Sequence, residues 1–298
     1  MGLALVRLPP AQWPALAGFI RDCNRHPAGG VRCLHAAQGA DVRSHAQELA
    51  ALPADEAAFW AVREGDTLVG VVGCEFDPAL ARAWVRGPLA VDQRLLDALL
   101  PLVGPTLESA LPQIQQFEGF PAANDAALNA WYAAAGYTPL QLHTVLRAPI
   151  GQVPDSARRV RRASAPDLPA VWELHQALFP AAYLGEADFR RAIDDADRAL
   201  FVADGDASGP AGYLYMRDAP SDEEAYIDYL GVRQSHRGRG IGRALLDAAA
   251  RWGAQHGRGH SALTVREDRR TAFDLYKRAG FVEVSAGRHW RKKASRAE

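Results

Sequence analysis

Apolar residues alternate with a period of two in several short stretches and recur every three to four residues between them. Phe59-Trp60-Ala61-Val62 and Leu68 to Val72 read as two strands joined across Gly65-Asp66. Leu200 to Ala203 and Ala211 to Met216 read as a second hairpin, across Asp204 to Pro210. Ala225 to Val232 reads as a strand, and Ile241 to Trp252 as a helix after it. Ala272, Leu275, Tyr276 and Ala279 share one helical face by their spacing of three and four. Gly280 stops that helix and Phe281 opens a strand. Alternating strands, turns and helices predict α/β units.

The pattern occurs twice. Tyr132-Ala133-Ala134-Ala135-Gly136-Tyr137 echoes Tyr276-Lys277-Arg278-Ala279-Gly280-Phe281, and Arg7 to Leu16 echoes Arg162 to Val171. Pro, Gly and Asp interrupt the pattern between Pro149 and Ser156, which places the join there. The expected domains are therefore 1–150 and 157–298.

Composition narrows the class. With 298 residues, 48% hydrophobic and 23% charged, the chain is long enough for two domains with real cores. A net charge of −1 argues against nucleic acid or a membrane surface as a general partner. The basic stretch Arg288 to Arg296 reads as a solvated terminus. Cys23, Cys33 and Cys74 form no C-x-x-C pair, so neither a disulfide framework nor a zinc site is expected. Free thiols and the lack of a signal-like or membrane-spanning run fit a cytoplasmic protein. No histidine spacing suggests a metal site.

Candidate chemistry concentrates at Arg237-Gly238-Arg239-Gly240-Ile241-Gly242. A strand, a glycine-rich turn and a helix start together make a phosphate site: free amides point at the anion and the helix dipole favours it. Arg237, Arg239 and Arg243 add positive charge. The Walker loop fails for want of Gly-Lys-Ser/Thr, and the dinucleotide fingerprint fails on glycine register.

Leu230-Gly231-Val232 followed by Arg237 to Gly242 resembles the pyrophosphate loop of the GNAT superfamily of N-acetyltransferases, Q/R-x-x-G-x-G/A after a strand. The run from Ala272 to Phe281 resembles that superfamily's A-x-x-L-Y-x-x-x-G-F helix, with Arg269 where an Asn is common. The resemblance implies two tandem GNAT-like domains, each a mixed, mostly antiparallel sheet flanked by helices. It implies acetyl-CoA as cosubstrate, with Leu230, Val232, Arg237, Gly238, Arg239, Gly240, Ile241, Gly242 and Arg243 around it. In the first half, Asp92-Gln93-Arg94 stands where the glycine loop would be, Asp125 at the place of the Asn and Leu128 at that of the Ala. The expectation is a degenerate copy that binds no coenzyme in the usual way.

The implied reaction moves an acetyl group directly to the amine of an unidentified small acceptor. An alkylamine is uncharged only about once in 2,500 at pH 7, a cost of about 4.6 kcal/mol, so a base is useful. Asp228 is the first candidate and Glu224 the second, with Tyr226 standing where some members carry Glu. Tyr226, Asp228 and Leu230 share a face by strand alternation. Tyr276 is the candidate acid for the departing thiolate, uphill by about 2 kcal/mol at reference pKa values. His175, Phe179, Tyr183 and Trp290 are candidate acceptor-lining residues. Two alternatives stay open: a retired coenzyme-binding regulatory module, and acetylation of a thiol-bearing conjugate of the mycothiol-synthase kind.

Overall fold

The computed structural model describes residues 3–24, 42–151, 160–180, 182–206, 209–219 and 224–294. The chain forms two compact units, Met1–His143 with Ser285–Glu298, and Thr144–Val284.

In the first unit the order is β1 (Val6–Arg7), α1 (Leu16–Asn24), α2 (Val42–Ala51), β2 (Ala57–Glu64), β3 (Thr67–Asp77), β4 (Arg82–Ala90), α3 (Gln93–Ala110), β5 (Gln116–Gly119) and α4 (Ala126–Ala134). Next comes β6 (Thr138–Pro149), within which the units divide. The second unit continues with β7 (Val160–Arg162), α5 (Leu168–Leu178), α6 (Glu186–Asp194), β8 (Arg198–Ala203), β9 (Gly212–Ala219) and β10 (Glu224–Val232). It closes with α7 (Ile241–Gln255), β11 (His260–Arg266), α8 (Arg270–Arg278) and the start of β12 (Val282–Lys293).

Both units have a mixed, mostly antiparallel sheet. Strand order in the first is β1-β2-β3-β4-β5-β12 and in the second β6-β11-β10-β9-β8-β7. In each, one parallel pair interrupts antiparallel neighbours: β4 with β5, and β10 with β11. The hairpins fall where alternation puts them, with Gly65 at φ +60° turning β2 into β3.

The units do not follow the contiguous boundary expected from the proline- and glycine-rich join. Leu146 and Ala148 of β6 belong to the core of the second unit, with Ile227, Leu245 and Leu263. Trp290 of β12 belongs to the core of the first, with Val85, Phe117 and Tyr132. Each of these strands is 12 residues long and runs past the end of the unit in which it begins. Much of the join itself lies outside the described residues.

This exchange also corrects the reading of the basic C-terminus as a solvated tail. Through Lys293 it is a strand, in register with β5 from Trp290↔Gly119 to Lys293↔Gln116. Glu118, almost fully buried, takes ion pairs from Arg82 and Arg291 at 3.1 Å and lies 3.0 Å from His289 Nε2. These cations hold its carboxyl below the usual range although burial pushes the other way. Lys292 pairs with Glu108 at 2.7 Å. Two acids of the first unit thus pair with Arg291 and Lys292 of the basic strand.

Candidate active site

Unit 2 opens a fork in its parallel pair. β10 and β11 are in register from Glu224↔His260 to Ile227↔Leu263, and there the ladder ends, although β10 runs on to Val232 and β11 to Arg266. A strand edge released in this way offers its amides and carbonyls to an extended ligand.

A bulge sits at the mouth of the fork. Opposite β9, Ile227 pairs with Met216 and Tyr229 with Tyr215, so Asp228 is an extra residue. The expected sharing of one face by Tyr226, Asp228 and Leu230 is therefore wrong. Leu230 packs with Ile227 in the core beneath α7 and α8. Tyr226 and Asp228 turn to the opposite face, where both meet Arg217 of β9. Tyr229 joins that face, packing with Tyr213 and Tyr215 under α5 and α6. One inserted residue reverses the alternation beyond it.

The glycine loop follows β10. Gly238 and Gly240 take φ of +73° and +79°, open to glycine at little cost. Gly240 is the N-cap of α7 and no side chain caps the helix, so its first amides keep no partner within it. Arg237 to Gly240 are exposed, and Arg239 makes no hydrogen bond or ion pair among the described residues. Arg237 Nε donates to Val232 O at 3.2 Å, closing the turn. Released strand edge, uncapped helix start and free arginine fit a long ligand with an extended arm and a phosphate group.

Three residues expected at the ligand have side-chain positions engaged elsewhere. Arg243 donates to Asp247 at 2.8 Å and to the Arg278 carbonyl at 3.3 Å. Gly242 is a packing glycine: a Cβ there would stand 2.7 Å from Leu275 Cδ2, so its lack of a side chain lets α8 close on α7. Ile241 is buried in the same core.

Of the candidate acids and bases, Asp228 sits at the fork, its side chain 2% exposed. The Tyr183 hydroxyl donates to its Oδ1 in a short hydrogen bond. Its Oδ2 lies 3.5 Å from Arg217 Nε, an ion pair too long for a hydrogen bond. Burial raises its pKa, against the pull of Arg217 and Tyr183. Glu224 stands where the ladder is still closed, about 13 Å down the strand at ~3.3 Å per residue. Its carboxylate is ion-paired with Arg147. The Tyr226 hydroxyl shares a hydrogen bond with Thr264 Oγ1 at 2.7 Å, and Arg217 lies over its ring at 4.7 Å. Tyr276 is buried in the core on the other face with Ile227 and Leu263, and burial pushes its hydroxyl up to about 12.

The candidate lining residues separate. Tyr183 is half exposed and touches Asp228. Phe179 packs edge-on to Tyr229, ring centroids 5.1 Å apart. His175 is core, 1% exposed, its Nδ1 2.6 Å from Tyr213 OH and its pKa lowered by burial to about 4. Trp290 lines nothing in this unit; its Nε1 donates to Asn129 at 2.9 Å in the first. Arg217 and the hydroxyl of Tyr183 went unassigned in the sequence because both reach Asp228 by tertiary contact.

Unit 1 has a matching parallel ladder with different residues. It ends at Val85↔Gly119, where β5 stops while β4 runs on to Ala90. Counted from that last pair, Arg86 holds the position of Asp228. Glu75, opposite Trp84, holds that of Arg217, opposite Tyr226. The ion pair survives with its charges exchanged, Arg86 on Glu75. Only two residues separate β4 from α3, where eight separate β10 from α7. Asp92 caps α3, its carboxylate accepting from Leu95 N at 2.7 Å. A carboxylate stands where the other unit offers bare amides. Cys23 and Cys74 are buried in this unit, and burial pushes the Cys74 thiol up to about 12; Cys33 lies outside the described residues.

Fold and site are those of an α/β protein whose forked sheet stands beside a glycine-rich turn and an uncapped helix start. Residues 168–281, most of the second unit, match the acetyltransferase (GNAT) family. Streptothricin acetyltransferase of Streptomyces lavendulae is 35% identical over 89 residues, 30% of this chain and 47% of that protein. Mycothiol acetyltransferase of Clavibacter michiganensis subsp. michiganensis is 33% identical over 109 residues, 36% of this chain and 35% of that one. The matches thus span half or less of these relatives. A tandem GNAT protein from the clavulanic acid biosynthesis pathway shares the fold, with a TM-score of 0.70 at 17% identity over 99% of this chain and 100% of its own. The fold is that of a tandem GNAT protein. Among the described residues no helix is long and apolar enough to cross a membrane.

Proposed function

We propose that the chain transfers an acetyl group from acetyl-CoA directly to the amine of a small acceptor, and that only the second unit does so. The observation that carries this reading is the fork after Ile227↔Leu263, set beside the uncapped start of α7. Residues Leu230 to Val232 would hold the extended arm by main-chain bonds, and the amides of 238–242 with Arg237 and Arg239 the pyrophosphate. Bound there, acetyl-CoA supplies an activated acyl carbon with a thiolate leaving group.

Asp228 takes a proton from the acceptor ammonium and frees the lone pair that attacks. The amine nitrogen forms its bond to the acyl carbon as the carbon–sulfur bond breaks. Tyr276, on the opposite face of β10 from Asp228, would reach the sulfur through the fork, give it a proton and regain one from the new amide nitrogen, directly or through water. Both cysteines described are buried in the first unit, which favours direct transfer over an acyl-cysteine route. Unit 1, with Arg86 in place of the acid and Asp92 over the helix start, has neither a base for an ammonium nor bare amides for a phosphate.

The test is release of thiol from acetyl-CoA with a panel of small amines. Amine-dependent release, with product heavier by one acetyl group, is expected. Binding of acetyl-CoA without transfer to any amine would instead favour a regulatory module.

A further inference from the structure

Asp228 is not open to an incoming amine. Its oxygens are held by two elements: Oδ1 by the hydroxyl of Tyr183, on the connection between α5 and α6, and Oδ2 by Arg217 of β9. Tyr183 is anchored a second time, its backbone N–H donating to the Tyr229 hydroxyl at 3.3 Å with the rings 5.6 Å apart. The residue is nevertheless 50% exposed, while the Asp228 side chain is 2% exposed. A molecule approaching Asp228 over this face meets Tyr183 first.

We propose that Tyr183 is the positioning residue of Asp228 and the gate over it: its hydroxyl holds Oδ1 in place and yields that oxygen to the acceptor's ammonium. The inference rests on the functional reading above. On arrival, an ammonium N–H replaces the Tyr183 O–H at Oδ1. The proton passes to the carboxylate, leaving a neutral amine and a neutral Asp228; Tyr183 keeps its own proton throughout. The groups facing Asp228 are Tyr183 from the α5–α6 connection, Tyr215 and Arg217 from β9, Arg198 from β8, and Tyr226 and Tyr229 from β10 itself. Among them the Tyr183 hydroxyl donates a hydrogen bond to Asp228. A donor to the charged form favours that form. Removing it favours the protonated acid, so the base becomes active only at higher pH.

The test compares the full-length chain with Tyr183→Phe and Tyr183→Ala in two measurements. In the pH profile of kcat/KM for acetyl transfer, the acid limb of Tyr183→Phe is expected to move up by about half a unit to one unit, with acetyl-CoA affinity within twofold of the unaltered chain. ¹³C NMR titration of the Asp228 carboxyl should show the same upward movement without any turnover. A role in packing alone would lower the rate at every pH and leave the limb in place. An unmoved limb and an unmoved carboxyl titration in a chain that turns over would overturn this inference alone. A chain that binds acetyl-CoA but acetylates no amine would overturn the functional reading, and this one with it.

Discussion

In the proposed reaction Asp228 and Tyr276 carry opposite demands, and burial serves both. An acid must hold its proton until the leaving group needs it, and a hydroxyl at about 12 does so at any working pH. Transfer to a free thiolate near 8.5 is then uphill by about 5 kcal/mol rather than the ~2 expected from reference values. Proton transfer must therefore accompany breaking of the carbon–sulfur bond. Tyr276→Phe is expected to lower turnover about 100-fold with little change in acetyl-CoA affinity, measured by thiol release and calorimetry. For Asp228 the sign runs the other way. Its folded-state pKa is raised, so its charge costs stability at neutral pH, and the cost disappears as pH falls through that value. Activity needs the charged form and is lost over the same range. The acid limb of kcat/KM should lie above the ordinary carboxylate range near 4. Asp228→Asn should abolish that limb while leaving the melting temperature at pH 7 unchanged or higher; a limb that survives would exclude Asp228 as the base.

At the scale of elements, the loop and the helix after it do separate work. Gly240 sits at φ +79° and begins α7; Gly242 lets α8 close on it. Gly240→Asp is expected to abolish acetyl-CoA binding in calorimetry with a modest effect on melting. Asp tolerates a left-handed backbone better than most residues, so the loss would report its charge at the phosphate site. Gly242→Val is expected to act oppositely. Its branched side chain meets Leu275 and should cost about 1–3 kcal/mol, read as a lower melting temperature. Both glycines stand in one short motif, yet nothing in its residues says that one turns the chain and the other packs a helix. The turn follows from local dihedral freedom. The packing depends on Leu275, brought there by the fold.

At the scale of the molecule, two similar sheets carry unequal sites. With Asp92 capping α3 and no loop before it, the first unit should not bind acetyl-CoA. One site per chain is therefore expected in a calorimetric titration, and two would overturn the assignment. The strand exchange makes the chain's end part of its first unit. Trp290, 7% exposed and 6.0 Å from the Tyr132 ring, fills that core. Trp290→Ala should cost about 3–5 kcal/mol, with the loss of protection in hydrogen exchange concentrated in β5 rather than around α7.

The repeated hairpins, the α7 and α8 helices and the glycine loop were legible in the sequence because each is written by near neighbours: period-two runs, i, i+3 and i+4 spacing, and glycine where a turn needs it. The bulge at Asp228 was not, since it exists only against Tyr215 and Met216 on the facing strand. Nor were the partners of Asp228, because Tyr183 lies 45 residues away along the chain. The exchange of β6 and β12 was hidden for the same reason. A strand's own residues state that it is a strand, but which core receives it depends on surfaces assembled from the rest of the chain. The sequence by itself thus determined the strand, the glycine turn and the helix start on which the proposed chemistry rests. The tertiary structure decided which acid faces the fork, what covers it, and which unit the last strand completes, because those outcomes are energies of contact between residues far apart in sequence.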